Sequence, residues 1–100
     1  MVRTHVQDKS ITVNGIRIHY AEWGDPAATP LCLLHGLRGF AHAWHGVAAA
    51  FAPSFRVLAL DQRGRGASDW APDGDYTTPA YVADFAAFAD ALGLGRFVLA

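Results

Sequence analysis

The apolar run Leu31-Cys32-Leu33-Leu34 stops abruptly at His35-Gly36-Leu37-Arg38-Gly39, and this junction constrains the fold more than any other stretch of the chain. A strand with one solvated face alternates apolar and polar residues, whereas a continuous run suits a parallel strand covered on both faces. Pro30 opens the run and a glycine-bearing loop closes it. Open parallel sheets collect ligands beyond the carboxyl ends of their strands. Function is therefore expected at His35 to Gly39 and the segments that neighbour them.

The remaining signals fall in an order that supports such a sheet. Ile11, Val13, Ile16, Ile18 and Tyr20 alternate on either side of Asn14-Gly15, a dipeptide suited to a tight type I′ hairpin turn. Pro26 to Pro30 reads as a loop into the third strand, Leu31 to Leu34. Trp44, Val47, Ala48 and Phe51 recur at helical spacing and Pro53 ends that helix. Val57 to Leu60 reads as a second buried run, far enough from Leu34 for a parallel crossover. Asp61 to Thr77 has no periodicity and is longer than most structureless connections. Thr78 and Pro79 form an N-cap and first-turn pair, Tyr81, Phe85, Phe88 and Leu92 mark one helical face, and Gly93 is the expected C-cap. Phe97 to Ala100 begins another buried strand. A hairpin followed by alternating helices and parallel strands is an α/β architecture in one continuous unit, with no linker or repeat.

Composition removes several function classes. The 100 residues are 52% hydrophobic and 17% charged, an ordinary globular balance. A net charge of −1 gives no electrostatic reason to expect nucleic acid or an acidic membrane. Cys32 is the single cysteine and lies in the apolar run, where it reads as a core thiol. The first residues lack the apolar core of a signal peptide and no segment reaches membrane-span length, so a cytoplasmic protein is the expectation.

Several side chains invite a chemical reading that their context does not support. His42 and His45 lie three apart without an evident third ligand, so a surface pair is expected and no metal site. His5 and His19 have no catalytic context in the sequence. Gly66-Ala67-Ser68-Asp69-Trp70 half-matches a GxSxG nucleophile elbow, but loop sequence flanks it on both sides and Trp70 replaces the final glycine. Ser68 is expected to brace a turn through its hydroxyl. Arg63, with a planar fork of donors, is expected to tie loop carbonyls or a carboxylate. Neither a GxxxxGK phosphate loop nor a GxGxxG fingerprint is present.

Taken in order, Val13-Asn14-Gly15, Ile18-His19-Tyr20, Leu33-Leu34-His35-Gly36, Trp44, Asp61-Gln62-Arg63-Gly64-Arg65-Gly66-Ala67-Ser68-Asp69, Tyr81 with Asp84, and Leu92-Gly93-Leu94 before Phe97-Val98-Leu99 resemble the amino-terminal part of an α/β-hydrolase. The resemblance covers nearly the whole chain, from Ile11 to Ala100. It implies an incomplete core domain over residues 1–100 holding the first to fifth strands, an antiparallel hairpin and then parallel strands with crossover helices. It also implies that the Leu37 backbone N–H is one donor of an oxyanion hole, the other following the nucleophile. A fixed amide dipole there stabilises the charge that acyl transfer places on a carbonyl oxygen. Gly36, Leu37 and Arg38 would then touch substrate, while His35, Asp61, Arg63 and Ser68 support the site structurally.

The resemblance further implies a hydrolase without metal or organic cofactor, acting on a small acyl substrate such as an ester or lactone through a serine, histidine and acid beyond Ala100. Epoxide hydrolases and haloalkane dehalogenases, which use an aspartate nucleophile, commonly carry proline two residues after His-Gly. Arg38 stands there in this chain, which favours the serine branches. A noncatalytic binding module on the same scaffold is the rival reading, since fold alone does not fix function. Alone, the 100-residue chain is expected to be inactive, since it would hold one oxyanion donor and neither nucleophile nor base. It is also expected to fold poorly without the rest of the same domain as its partner, because its last strand would present an open apolar edge.

Overall fold

The computed structural model describes residues 6–34 and 45–99. Strand β1 spans Gln7–Val13 and β2 spans Ile16–Trp23. They pair antiparallel in the register Val13↔Ile16 through Gln7↔Glu22. The turn between them is set by Asn14 at φ 52° and Gly15 at φ 74°, a pair of left-handed conformations that Asn-Gly adopts at little cost. Strand β3 (Thr29–Leu34), helix α1 (His45–Phe51), β4 (Phe55–Leu60), helix α2 (Thr78–Ala91) and β5 (Val98–Leu99) follow.

These strands form one sheet in the order β1-β2-β4-β3-β5. β3 lies parallel to both β4 and β5, and β2 pairs antiparallel with β4. Residue parity separates two cores. Ala21, Trp23, Leu31, Leu33, Val57 and Ala59 meet Ala48 and Ala52 on the α1 face. Ile18, Tyr20, Cys32, Leu58 and Leu60 meet Phe88 and Leu94 on the α2 face. The two short-period runs Leu31–Leu34 and Val57–Leu60 thus feed both cores at once, which is why they lack a polar face. Tyr20 and Phe88 form an edge-to-face pair 5.0 Å apart across the second core.

Four expectations need adjustment. The third strand begins at Thr29, before the apolar run, because Thr29 and Pro30 already pair with Phe55 and Arg56. The N-cap of α2 is Thr77 with extended backbone, one residue earlier than Thr78, and its side chain makes no capping bond. Along α2 the buried residues are Ala80, Asp84 and Phe88, spaced by four, and Tyr81 lies to one side of that face. The face turns because Asp84 is held inward by a charged partner described below. Phe97–Ala100 was expected to be buried, yet Val98 and Leu99 are 47% and 52% exposed. Their strand touches the sheet only through Leu31↔Val98 and Cys32↔Leu99, and no described residue lies on its outer edge.

The end of α2 follows from its sequence. Gly93 N–H bonds to Asp90 O and Leu94 N–H to Ala89 O, the paired contacts of a Schellman motif around Leu92. The motif drops Leu94 into the α2-side core, where it is 8% exposed.

Candidate active site

The strand order reverses at β3. From β3 the chain crosses by α1 to β4 on one side, then by α2 to β5 on the other. The carboxyl end of β3 is therefore a topological switch point, the place where an open parallel sheet leaves a crevice. Leu34 ends β3 beside Leu60, the last residue of β4. His35, Gly36, Leu37 and Arg38 follow Leu34 and lie outside the described residues, as do His42 and Trp44.

Asp61 continues β4 past Leu60, and its position is over-determined. Its N–H bonds to His19 O at 2.9 Å, extending the β2–β4 ladder by one step. One carboxylate oxygen, Oδ2, accepts the Ala67 N–H at 2.9 Å and lies 2.6 Å from Nδ1 of His19. The Asp61 side chain is 3% exposed. Gly66 stands against it: a Cβ at residue 66 would come within 2.3 Å of the Asp61 Cγ, and the backbone there has φ 49°. The glycine is thus demanded by both space and conformation.

Ser68 closes the same turn. Its hydroxyl accepts the His19 N–H at 2.8 Å and donates to the Asp61 carbonyl. It is 6% exposed and faces backbone groups of β2 and of the end of β4. No helix follows it: the loop continues through Asp69, whose carboxylate accepts the Arg17 N–H at 3.1 Å and whose N–H bonds to Arg17 O. The whole Asp61–Thr77 connection is laced in this manner. Gly64 N–H reaches Asp69 O, and the Tyr76 hydroxyl accepts the Ala71 N–H at 3.0 Å. Buried backbone groups without such partners would cost stability, which explains how a long aperiodic segment keeps one shape.

Arg63 reaches the other way, to α2. Its Nε and Nη2 donate to the two oxygens of Asp84 at 2.6 and 2.8 Å, and Nη1 donates to the Asp75 carbonyl at 2.9 Å. The Asp84 hydrogen bonds hold the guanidinium even further above its ordinary pKa, against the opposing effect of burial. Asn14, in the hairpin turn, donates from its side-chain amide to Asp84 Oδ1 at 3.1 Å. One carboxylate on α2 therefore joins the hairpin, the loop after β4 and the helix.

Two of these residues were not assigned a role from the sequence. Asp84 carried one signal, an acid at the centre of an apolar i, i+4 face. His19 carried none, because its neighbours Asp8 and Asp61 are 11 and 42 residues away. Among the described residues no group of three or more His, Cys, Asp or Glu is placed to hold a metal ion. No described helix is long and apolar enough to cross a membrane.

A mixed sheet with an antiparallel first hairpin, helices on both faces and a switch point at β3 defines an α/β class of protein. The chain belongs to the alpha/beta hydrolase fold family, whose profile matches residues 29–100. It is 42% identical over 96 residues to an N-formylmaleamate deformylase of Pseudomonas putida, covering 96% of this chain and 35% of that protein. It is 36% identical over 87 residues to mouse epoxide hydrolase 4, covering 86% of this chain and 24% of the relative. Among solved structures, a haloalkane dehalogenase loop variant from Bradyrhizobium elkanii superposes with a TM-score of 0.89 at 26% identity, over 95% of this chain and 31% of that one. The chain thus spans about a third or less of the length of the relatives it matches.

Proposed function

We propose that this chain is the oxyanion-bearing part of a serine hydrolase acting on a small ester, lactone or related acyl substrate. The observation that carries the reading is the switch point at the carboxyl end of β3, where His35-Gly36-Leu37-Arg38 begins. In this reading the Leu37 N–H donates to the oxyanion, and Gly36, Leu37 and Arg38 contact the substrate. Asp61, Arg63 and Ser68 hold the adjoining loop after β4, and a fixed amide at residue 37 would stabilise the oxyanion without reorganising during the reaction. A serine elsewhere in the full protein attacks the carbonyl, a histidine takes its proton, and an acid orients that histidine. The similarity to a deformylase over nearly the whole chain supports acyl chemistry. Arg38 at the position where aspartate-nucleophile branches commonly have proline supports it further.

A second reading, an aspartate nucleophile opening an epoxide or displacing a halide, draws on the similarity to epoxide hydrolase 4 and to the dehalogenase. A fluorophosphonate probe separates the two. Labelling of the full protein at a serine other than Ser10, Ser54 and Ser68 supports the serine reading. No labelling, with turnover of an epoxide or a haloalkane, replaces it with the second.

A further inference from the structure

His19 is held between two carboxylates. Its Nδ1 lies 2.6 Å from Asp61 Oδ2 and its Nε2 lies 2.8 Å from Asp8 Oδ1. A neutral imidazole has one N–H and one lone pair, so it donates to one carboxylate and turns its lone pair toward the other. Only the imidazolium donates to both. The two carboxylates are not equivalent. Asp61 is 3% exposed and the same oxygen accepts the Ala67 N–H, whereas Asp8 sits on edge strand β1 and is 56% exposed. Losing the contact to Asp61 costs a buried carboxylate one of its hydrogen bonds where water has little access, whereas at exposed Asp8 water can take the place of the imidazole.

We propose that His19 is a proton-operated latch that ties edge strand β1, at Asp8, to the loop after β4, at Asp61. With both ring nitrogens protonated the latch is closed. Loss of the Nε2 proton opens the Asp8 side and leaves Nδ1–H on Asp61. The opening is confined to β1, because the His19 backbone stays anchored whatever the ring carries: its N–H is on Ser68 Oγ and its carbonyl on the Asp61 N–H. Among the described residues, the charged groups Lys9 and Arg17 border the same shallow groove as His19 and Asp8, with Ser10 and Ala67. Lys9 is engaged by Glu22 at 3.2 Å, a carboxylate it shares with Arg56, and Arg17 by Asp69 at 3.7 Å, so each cation already faces a carboxylate. The latch joins the outermost strand to the loop beside the β3 switch point, and it does not depend on which nucleophile the full protein uses.

The test is nitrogen NMR of the full chain labelled at histidine, run from mildly acidic to alkaline pH with amide exchange measured in parallel. Both His19 ring nitrogens should be protonated at the acidic end. As pH rises Nε2 should lose its proton while Nδ1 keeps its own. Across that step the protection of the residue 8–10 amides, corrected for intrinsic exchange, should fall about tenfold, the scale of one charge-assisted hydrogen bond. Protection at residues 67–69 should hold. In Asp8→Asn the step in β1 protection should vanish. Deprotonation at Nδ1 first, constant β1 protection in the parent, or a step that persists in Asp8→Asn each overturns the latch.

Discussion

Arg63 and Asp84 meet as a two-pronged ion pair, Nε to Oδ2 at 2.6 Å and Nη2 to Oδ1 at 2.8 Å, with both side chains almost wholly buried. Each charge is costly to bury alone, and the pair is tolerated because all three guanidinium nitrogens and both carboxylate oxygens are hydrogen-bonded. The Asn14 amide and the Asp75 carbonyl complete the set. The pair is what fastens the loop after β4 to α2. Removing one partner should therefore cost about 3–5 kcal/mol, since it strands the other charge. Arg63→Met and Asp84→Leu, measured by chemical denaturation, should each be that damaging. The double variant should lose less than the two losses together, by the coupling expected of residues in direct contact. Additive losses would show that the pair is not a unit.

Ser68 makes its contribution through the backbone. Ser68→Ala removes the acceptor of the His19 N–H and the donor to the Asp61 carbonyl, both beneath the surface. The expected cost is about 1–3 kcal/mol, the penalty of leaving such a group unsatisfied. Turnover by the full protein should survive at temperatures where the variant is folded. A well-folded Ser68→Ala protein with no turnover would make Ser68 the nucleophile and reverse its assignment.

Gly66 offers a test of steric demand separate from conformational demand. Gly66→Ala carries the left-handed backbone penalty, about 1–2 kcal/mol for a non-glycine residue, and in addition drives a methyl into the Asp61 carboxylate. Gly74 has φ 70° and nothing within 4 Å of an added Cβ, so Gly74→Ala carries the backbone penalty alone. Thermal melts should rank Gly66→Ala clearly below Gly74→Ala. Equal melting temperatures would mean that Asp61 moves aside without cost.

The two buried runs and the Asn-Gly hairpin were legible because each is local: apolar continuity, period-two alternation and a turn dipeptide need no knowledge of distant residues. The architecture followed from their order. The geometry around β4 was less legible because its partners are remote in sequence. Asp84 meets Arg63 across 21 residues, and Ser68 meets His19 across 49. The expected helical face through Tyr81 failed for the same reason, since pattern reading assigns a buried face to apolar residues and α2 turns a charged one inward. Val98 and Leu99 show the opposite limit, apolar residues that read as buried while only one strand edge receives them.

Leu37 carries the proposed chemistry in its backbone, so side-chain changes should do little and loss of the N–H should do much. In the full protein Leu37→Pro should lower kcat by about 10²–10³, the effect of removing one oxyanion donor. KM should change far less, because the oxyanion exists only on the way to products. Leu37→Ala, which keeps the N–H, should hold kcat near the parent value. A large fall in KM-linked binding with kcat unchanged would place residue 37 in substrate recognition alone.

Cys32 supplies a pH test of the sheet itself. Burial in the middle of β3 pushes its thiol up from 9.0 to about 11, since a thiolate there would be poorly solvated. Between those values the folded chain keeps a proton that the unfolded chain has released. The native state therefore binds more protons, and stability falls as pH rises. The contribution is complete below pH 9 and declines up to about 11, by about 3 kcal/mol in all. Burial also raises Tyr20 above 10.0, adding a decline of the same sign at higher pH. In Cys32→Ala the stability measured by denaturant at pH 8 should be lower than in the parent because a cavity replaces the sulfur. Between pH 9 and 11, however, its stability should fall less steeply. Parallel declines in the two proteins would mean that the thiol is not protected from ionisation, and thiol reagents should then react with the folded parent as readily as with the unfolded chain.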